Sequence, residues 1–138
     1  AKIQAHRDKV SYMKKNQKFI TKAGYNYDGD QFGMDYDIYN CFGKTIKYVE
    51  ITLTCYNTVG DVQRDYFGNS TKKVRGIGPI EPNDGGSYSW EKIFWDEYGV
   101  IKNCRITAIK FTFKDGTVKS FSGYANIRKH FSGDAWDD

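Results

Sequence analysis

Between Val49 and Cys55 every second residue is apolar: Val49, Ile51, Leu53 and Cys55 stand in one phase, and Tyr48, Glu50, Thr52, Thr54 and Tyr56 in the other. Successive side chains of an extended chain point to opposite faces, so this period of two writes a strand over residues 45 to 57 with one dry and one wet face. A sheet wet on one side is typically antiparallel and must lay its apolar face on a second layer. Phe32, Met34, Tyr36 and Ile38 alternate in the same way after the turn Asp28-Gly29-Asp30, which makes residues 18 to 27 and 32 to 40 a hairpin. Ile109, Phe111 and Phe113 run into Asp115-Gly116, a pair favoured in two-residue type I′ loops. Such a loop sets Lys114 against Thr117, Phe113 against Val118 and Phe111 against Ser120. Ile106 is out of phase with Ile109, which predicts a bulge near Thr107.

The remaining segments are less regular. Residues 62 to 75 read as a polar edge strand reaching Val74. Gly76, Gly78, Pro79, Pro82, Gly85 and Gly86 then fall within eleven residues and predict an irregular connection that crosses between the layers. Ser87 to Phe94 reads as a strand with Tyr88 and Trp90 on one face, Trp90 being the expected central core tryptophan, and an irregular or helical turn follows at Asp96 to Gly99. About seven short strands and no convincing long helix give an all-β, immunoglobulin-like antiparallel β-sandwich. An aromatic content of 17% fits, because half-buried pleated faces favour such side chains.

The chain of 138 residues has room for one such domain. Its expected bounds are a basic lead-in or linker over 1–17, the sandwich over 18–131 and an acidic tail over 132–138 that frays. The lead-in carries only the thin apolar stripe Ile3, Val10 and Met13, too narrow to bury much as a helix, so a frayed or partner-dependent segment is expected. The formal net charge of +4 is unevenly spread: residues 1 to 22 hold Lys2, Arg7, Lys9, Lys14, Lys15, Lys18 and Lys22 against only Asp8. A lysine arm can meet phosphates or an acidic membrane surface. This one lacks an arginine cluster and aromatics spaced for stacking on bases, so a solvated linker is expected and nucleic acid is not. No run approaches the roughly 18 apolar residues of a membrane span. A chain that starts at Ala1 without an apolar signal core reads as a mature or trimmed form.

Chemistry-bearing groups are sparse. Cys41, Cys55 and Cys104 are an odd number without the close pairing of a structural zinc site. Cys55 reads as a small buried hydrophobe, while Cys41 and Cys104 flank strands and could pair across the sandwich. His6 and His130 lie in the terminal segments, so no Cys-His partnership is indicated. Asp28, Asp30, Asp35 and Asp37 with Gly29 and Gly33 match a calcium loop only in part, lacking its spacing and its bidentate Glu. Glu91, Asp96 and Glu97 lack the cleft that opposes two carboxylates in a glycosidase. With no nucleophile-base pair, metal set or phosphate loop, neither an enzyme nor a cofactor is expected. The stronger signal is aromatic: Phe94, Trp95 and Tyr98 in one loop, Tyr48 and Tyr56 on an outward face, Tyr66 and Phe67 on an edge. Rings left outside the core would suit contact with protein or carbohydrate. If Trp95 and Tyr98 are exposed and clustered, a binding surface is favoured; if both are buried, a structural spacer of a larger surface protein is favoured.

One family resemblance rests on particular residues. Thr45-Ile46-Lys47-Tyr48-Val49 leads into Ile51-Thr52-Leu53-Thr54-Cys55-Tyr56-Asn57. Gly76-Ile77-Gly78-Pro79-Ile80-Glu81-Pro82 precedes Gly86-Ser87-Tyr88, and Phe113-Lys114-Asp115-Gly116-Thr117 closes the pattern. In these motifs Lys44 to Phe121 resembles the immunoglobulin-like domains of bacterial envelope and secreted proteins akin to the FxLYD family. Cys55 stands where an aliphatic is usual and Asn57 where Asp is usual. The resemblance implies a non-catalytic binding or accessory module outside the cytoplasm, in the cell envelope, periplasmic or secreted.

Overall fold

The computed structural model describes residues 2–132, and the alternating segments among them assemble into two antiparallel sheets. Strands β1 (Ile20–Asp28), β2 (Gln31–Tyr39) and β5 (Gly85–Trp95) form one sheet in the order β1-β2-β5. Strands β3 (Ile46–Tyr56), β4 (Thr71–Ile80), β6 (Asn103–Phe113) and β7 (Val118–Ser122) form the other in the order β4-β3-β6-β7. This is the immunoglobulin-like sandwich in its variant with the fourth strand paired to the third instead of the fifth. Val49, Ile51, Leu53 and Cys55 of β3 are fully buried, as are Met34 and Ile38 of β2 and Phe111 of β6. The inward rows of the two sheets thus meet in one dry layer. Thr107 is the unpaired extra residue between the Thr52–Ala108 and Leu53–Ile106 pairs, so Ile106 and Ile109 both reach the core despite their odd spacing.

The hairpin β6-β7 is shifted by one residue from expectation: Thr112 pairs with Val118 and Phe111 with Lys119. Its loop has three residues, because the Phe113 N–H donates to Thr117 O at 2.9 Å and the Gly116 N–H to Phe113 O at 2.9 Å. Gly116, at φ 88°, supplies the left-handed residue of such a bulged loop. A one-residue slip exchanges faces, and so Val118 is half exposed while Phe121 turns toward the core.

Residues 62 to 70 are largely irregular and the glycine-proline segment through Ile80 is strand, the reverse of expectation. β4 lies at a sheet edge, where proline's missing N–H costs no ladder bond. Of the expected irregular connection, Glu81 to Asp84 remain as the link that crosses from β4 to β5 in the other sheet. The facing edges β4 and β5 are joined by side chains: Lys72 Nζ donates to Ile93 O at 2.6 Å, Trp90 Nε1 to Arg75 O at 3.0 Å and Tyr88 Oη to Ile77 O at 3.2 Å. Trp90 is therefore a half-buried edge residue stacked on Tyr88, with ring centroids 5.4 Å apart, and not the central tryptophan. Tyr36 occupies the interior instead, and burial pushes its phenol pKa up.

Gly33 shapes the middle of the first sheet. Between the pairs Phe32–Phe94 and Met34–Trp90, β2 has Gly33 alone while β5 has Glu91, Lys92 and Ile93. A Cβ on Gly33 would lie 1.8 Å from Trp90 O, so the bulged strand can approach only a glycine there.

The lead-in is a helix, α1 (Lys2–Lys15), where fraying was expected. It closes on itself: the Lys18 N–H donates to Met13 O at 2.9 Å and the Gln17 N–H to Lys14 O at 3.4 Å, with Gln17 left-handed at φ 49°. That is a Schellman stop, and Lys14 and Lys15 complement the negative end of the helix. The narrow stripe has its expected effect on packing, since Met13 is buried while Ile3 and Tyr12 are exposed. At the other terminus a short helix, α2 (Tyr124–Arg128), buries Ile127, and Phe131 then bridges Ile20 in parallel beside β1. The expected acidic tail lies, apart from Ser132, outside the described residues.

Candidate binding site

Two turns of the same local design stand side by side at one end of the sandwich. Asp65-Tyr66-Phe67-Gly68 lies between β3 and β4, and Asp96-Glu97-Tyr98-Gly99 between β5 and β6. In each the glycine N–H donates to the aspartate carbonyl, Gly68 to Asp65 O at 3.0 Å and Gly99 to Asp96 O at 3.3 Å. Aspartate in the first position and glycine in the fourth are the residues such turns prefer, since the carboxylate can cap the N–H groups that follow. The Asp65 carboxylate accepts from Phe67 N at 3.0 Å and Asn69 N at 2.9 Å through Oδ1, and from Trp95 N at 3.0 Å through Oδ2. Asp96 Oδ1 accepts from Val100 N at 2.8 Å, and both its oxygens accept from Ile101 N at 3.3 Å.

The two turns are cross-linked by the Tyr66 N–H, which donates to Trp95 O at 2.8 Å. Their aromatic residues consequently gather. Tyr66 packs on Phe67 at 5.2 Å, on Trp95 at 6.2 Å and on Tyr98 at 6.3 Å, and Phe67 meets Trp95 edge-on at 5.6 Å. Tyr98 is 74% exposed, Phe67 63% and Tyr66 54%, while Trp95 is half-buried beneath them. An open cavity of about 380 Å³ lies here, lined by rings of Tyr66, Trp95 and Tyr98 and by Gln63, Arg64 and Glu97. The Trp95 indole N–H is shielded from solvent and makes no hydrogen bond among the described residues.

Of the three loop residues expected to form a surface, Trp95 and Tyr98 belong to it and Phe94 does not. β5 continues through Trp95, so Phe94 pairs with Phe32 inside the sheet and is 1% exposed, its ring 5.6 Å from that of Phe32. Tyr66 and Phe67 join from a turn, not from the edge strand expected for them. Tyr48 and Tyr56 face outward elsewhere, covered by the Arg75 guanidinium at 3.7 Å and the Arg105 guanidinium at 4.8 Å.

The acids expected to be alternatives to this surface are dispersed. Asp28 pairs with Lys92 at 3.2 Å, and Asp35 accepts from Asn26 at 2.8 Å and Ser89 at 2.6 Å. Among the described residues no group of three or more His, Cys, Asp or Glu is placed to hold a metal ion. The carboxylates of Asp65 and Asp96 accept backbone N–H groups on both oxygens and so serve to hold the two turns.

The cysteines are not arranged as Cys41 with Cys104. Cys41 follows β2 near Lys119, which pairs with Phe111 far along β6, whereas Cys104 is the second residue of β6. Seven residues of strand separate those positions by roughly 20 Å. Cys104 instead lies directly across from Cys55, with the sulfurs 2.7 Å apart. Burial pushes the Cys41 thiol up to about 11. No helix among the described residues is long and apolar enough to cross a membrane. Comparison with protein-family models, curated proteins and solved structures returns no match to this chain.

Proposed function

We propose that this chain is a non-catalytic binding domain of a bacterial cell-envelope or secreted protein, and that its ligand is a carbohydrate chain laid across Tyr66, Phe67, Trp95 and Tyr98. The observation that carries the reading is the gathering of four rings, three of them open to solvent, on two turns whose backbones are already tied together. Exposed rings at this density are unfavourable in water unless something covers them. Tyrosine and tryptophan offer flat apolar faces with polar tips, which suit a sugar ring carrying hydroxyls on its rim. Gln63, Arg64 and Glu97 border the cavity and can donate to or accept from such hydroxyls. At about 380 Å³ it falls within the roughly 300–1,000 Å³ range of small-ligand pockets. The extracytoplasmic assignment rests on the resemblance of Lys44 to Phe121 to FxLYD-type domains.

The test is retention on immobilised glycans, with Tyr98→Ala and Trp95→Ala beside the parent. Retention of the parent and its loss in both variants supports the reading. Retention that survives in both removes this surface from consideration. A parent that binds a purified envelope protein through these rings, and no glycan, replaces carbohydrate with protein. A parent that binds neither favours the structural spacer.

A further inference from the structure

Cys55 and Cys104 are direct cross-strand partners near the ends of β3 and β6 from which the two aromatic turns emerge. Their main chains do not bond to each other. The Cys55 N–H donates to Ser70 O at 2.9 Å and Cys55 O accepts from Gln63 N at 2.8 Å, both on the outer side of β3. The Cys104 N–H donates to Tyr25 Oη at 2.9 Å, and Cys104 O accepts the Tyr25 hydroxyl at 3.4 Å, both on the far side of β6. The pair is therefore of the non-hydrogen-bonded antiparallel kind, in which Cα atoms approach to about 4.5 Å and side chains come closest. That spacing falls inside the range of about 4.4–6.8 Å that a disulfide bridges without moving backbone. The sulfurs already stand 2.7 Å apart, within about 0.7 Å of a bonded S–S separation. Both side chains are buried in the core.

We propose that Cys55 and Cys104 are a disulfide-forming pair, joined when the chain folds in an oxidising environment, with Cys41 left as the free thiol. The reaction forms one Sγ–Sγ bond and breaks the S–S bond of a disulfide oxidant, which takes up the two electrons and, through solvent, the two S–H protons and leaves as two thiols. One cysteine thiolate attacks the oxidant and forms a mixed disulfide, and the second thiolate displaces the oxidant's remaining half. Both cysteines are buried in the folded chain, and burial pushes the Cys104 thiol up, so attack takes place before the sheets close over the pair.

The full chain is unfolded, reduced, refolded in a glutathione/glutathione-disulfide buffer, and alkylated with iodoacetamide in denaturant. Intact mass and peptide mapping are then read with and without prior reduction. The expected result is one alkylated cysteine, Cys41, before reduction and three after it, with a linked Cys55–Cys104 peptide in the unreduced digest. Reduction lowers the urea midpoint of the parent and of Cys41→Ser, and leaves that of the Cys55→Ser/Cys104→Ser double variant unchanged. Three alkylations of the refolded, unreduced parent overturn the proposal, and so does any linkage of Cys55 or Cys104 to another thiol. The mass measurement needs no variant to fold.

Discussion

The Asp65 carboxylate accepts the backbone N–H of Trp95 at 3.0 Å, so one buried side chain between β3 and β4 fixes the end of β5. With Tyr66 N donating to Trp95 O, this bond makes the two aromatic turns a single pre-organised platform instead of two independent loops.

Asp65→Ala strands three N–H groups, those of Phe67, Asn69 and Trp95. The expected cost is about 2–4 kcal/mol in urea denaturation, since bonds to a charged acceptor are worth ~1.5–3 kcal/mol and buried unmet donors add to it. Asp65→Asn keeps one acceptor oxygen, enough for Phe67 and Asn69, and turns an amide toward the Trp95 N–H. It should lose roughly half as much, and equal loss in the two variants would mean that the link to Trp95 contributes nothing.

Trp95 carries a ring the platform needs and an N–H it does not use. Trp95→Phe removes the unpaired donor while keeping an aromatic face, and is expected to leave stability unchanged or raised by up to ~1 kcal/mol. Trp95→Ala is expected to cost about 2 kcal/mol, less than a fully buried tryptophan. Tyr98→Ala, being exposed, should stay within about 0.5 kcal/mol by thermal denaturation yet weaken glycan retention by roughly 30-fold, a 2 kcal/mol hot-spot effect.

Gly33→Ala drives a methyl group into Trp90 O, with the Glu91 Cα 2.8 Å from the new atom. Neither neighbour is a flexible side-chain end. A loss of about 3 kcal/mol is expected, at the upper end of overpacking costs. A midpoint within experimental error of the parent would show that the bulge at Glu91 to Ile93 relaxes freely.

The Asp115 carboxyl is held at about 2, first by the Thr117 hydroxyl at 2.6 Å, next by the Thr117 N–H at 3.0 Å, and also by Lys44 at 3.1 Å. A carboxyl depressed on folding stabilises the folded state fully above its unfolded value near 4, and that contribution disappears as pH falls through about 2. A carboxyl titration by nuclear magnetic resonance should place the midpoint near 2 in the parent and higher in Thr117→Val. Identical midpoints would remove the hydroxyl as the main cause.

The sandwich was legible where one physical requirement acted alone. β3 and the Thr107 bulge follow from side-chain period, because a buried face tolerates no polar residue in phase. Asp115-Gly116 marked its hairpin correctly but suits two loop lengths, and a difference of one residue decides whether Val118 or Phe121 turns inward. The edge strand expected over 62 to 75 overlaps only the first half of β4, because an edge strand accepts the glycine and proline that a central strand refuses. The ring cluster was half visible: Trp95 and Tyr98 were singled out as loop aromatics, and Asp-x-x-Gly occurs in both turns. What brings Tyr66 and Phe67 to them is the order of strands in two sheets, which no local pattern contains; Phe94, grouped with the loop rings although the expected strand ran through it, is held inside the sheet by its pairing with Phe32.

The bonds from Lys72, Trp90 and Tyr88 to carbonyls across the β4–β5 flank have a consequence for crowded solutions. An eleven-residue, glycine-rich border strand is a natural template for a neighbouring molecule to add its own strand, the first step toward fibrils. Here side chains of the molecule itself occupy that flank, the Lys72 ammonium on Ile93 O among them, so it is hemmed against intruders without a covering helix.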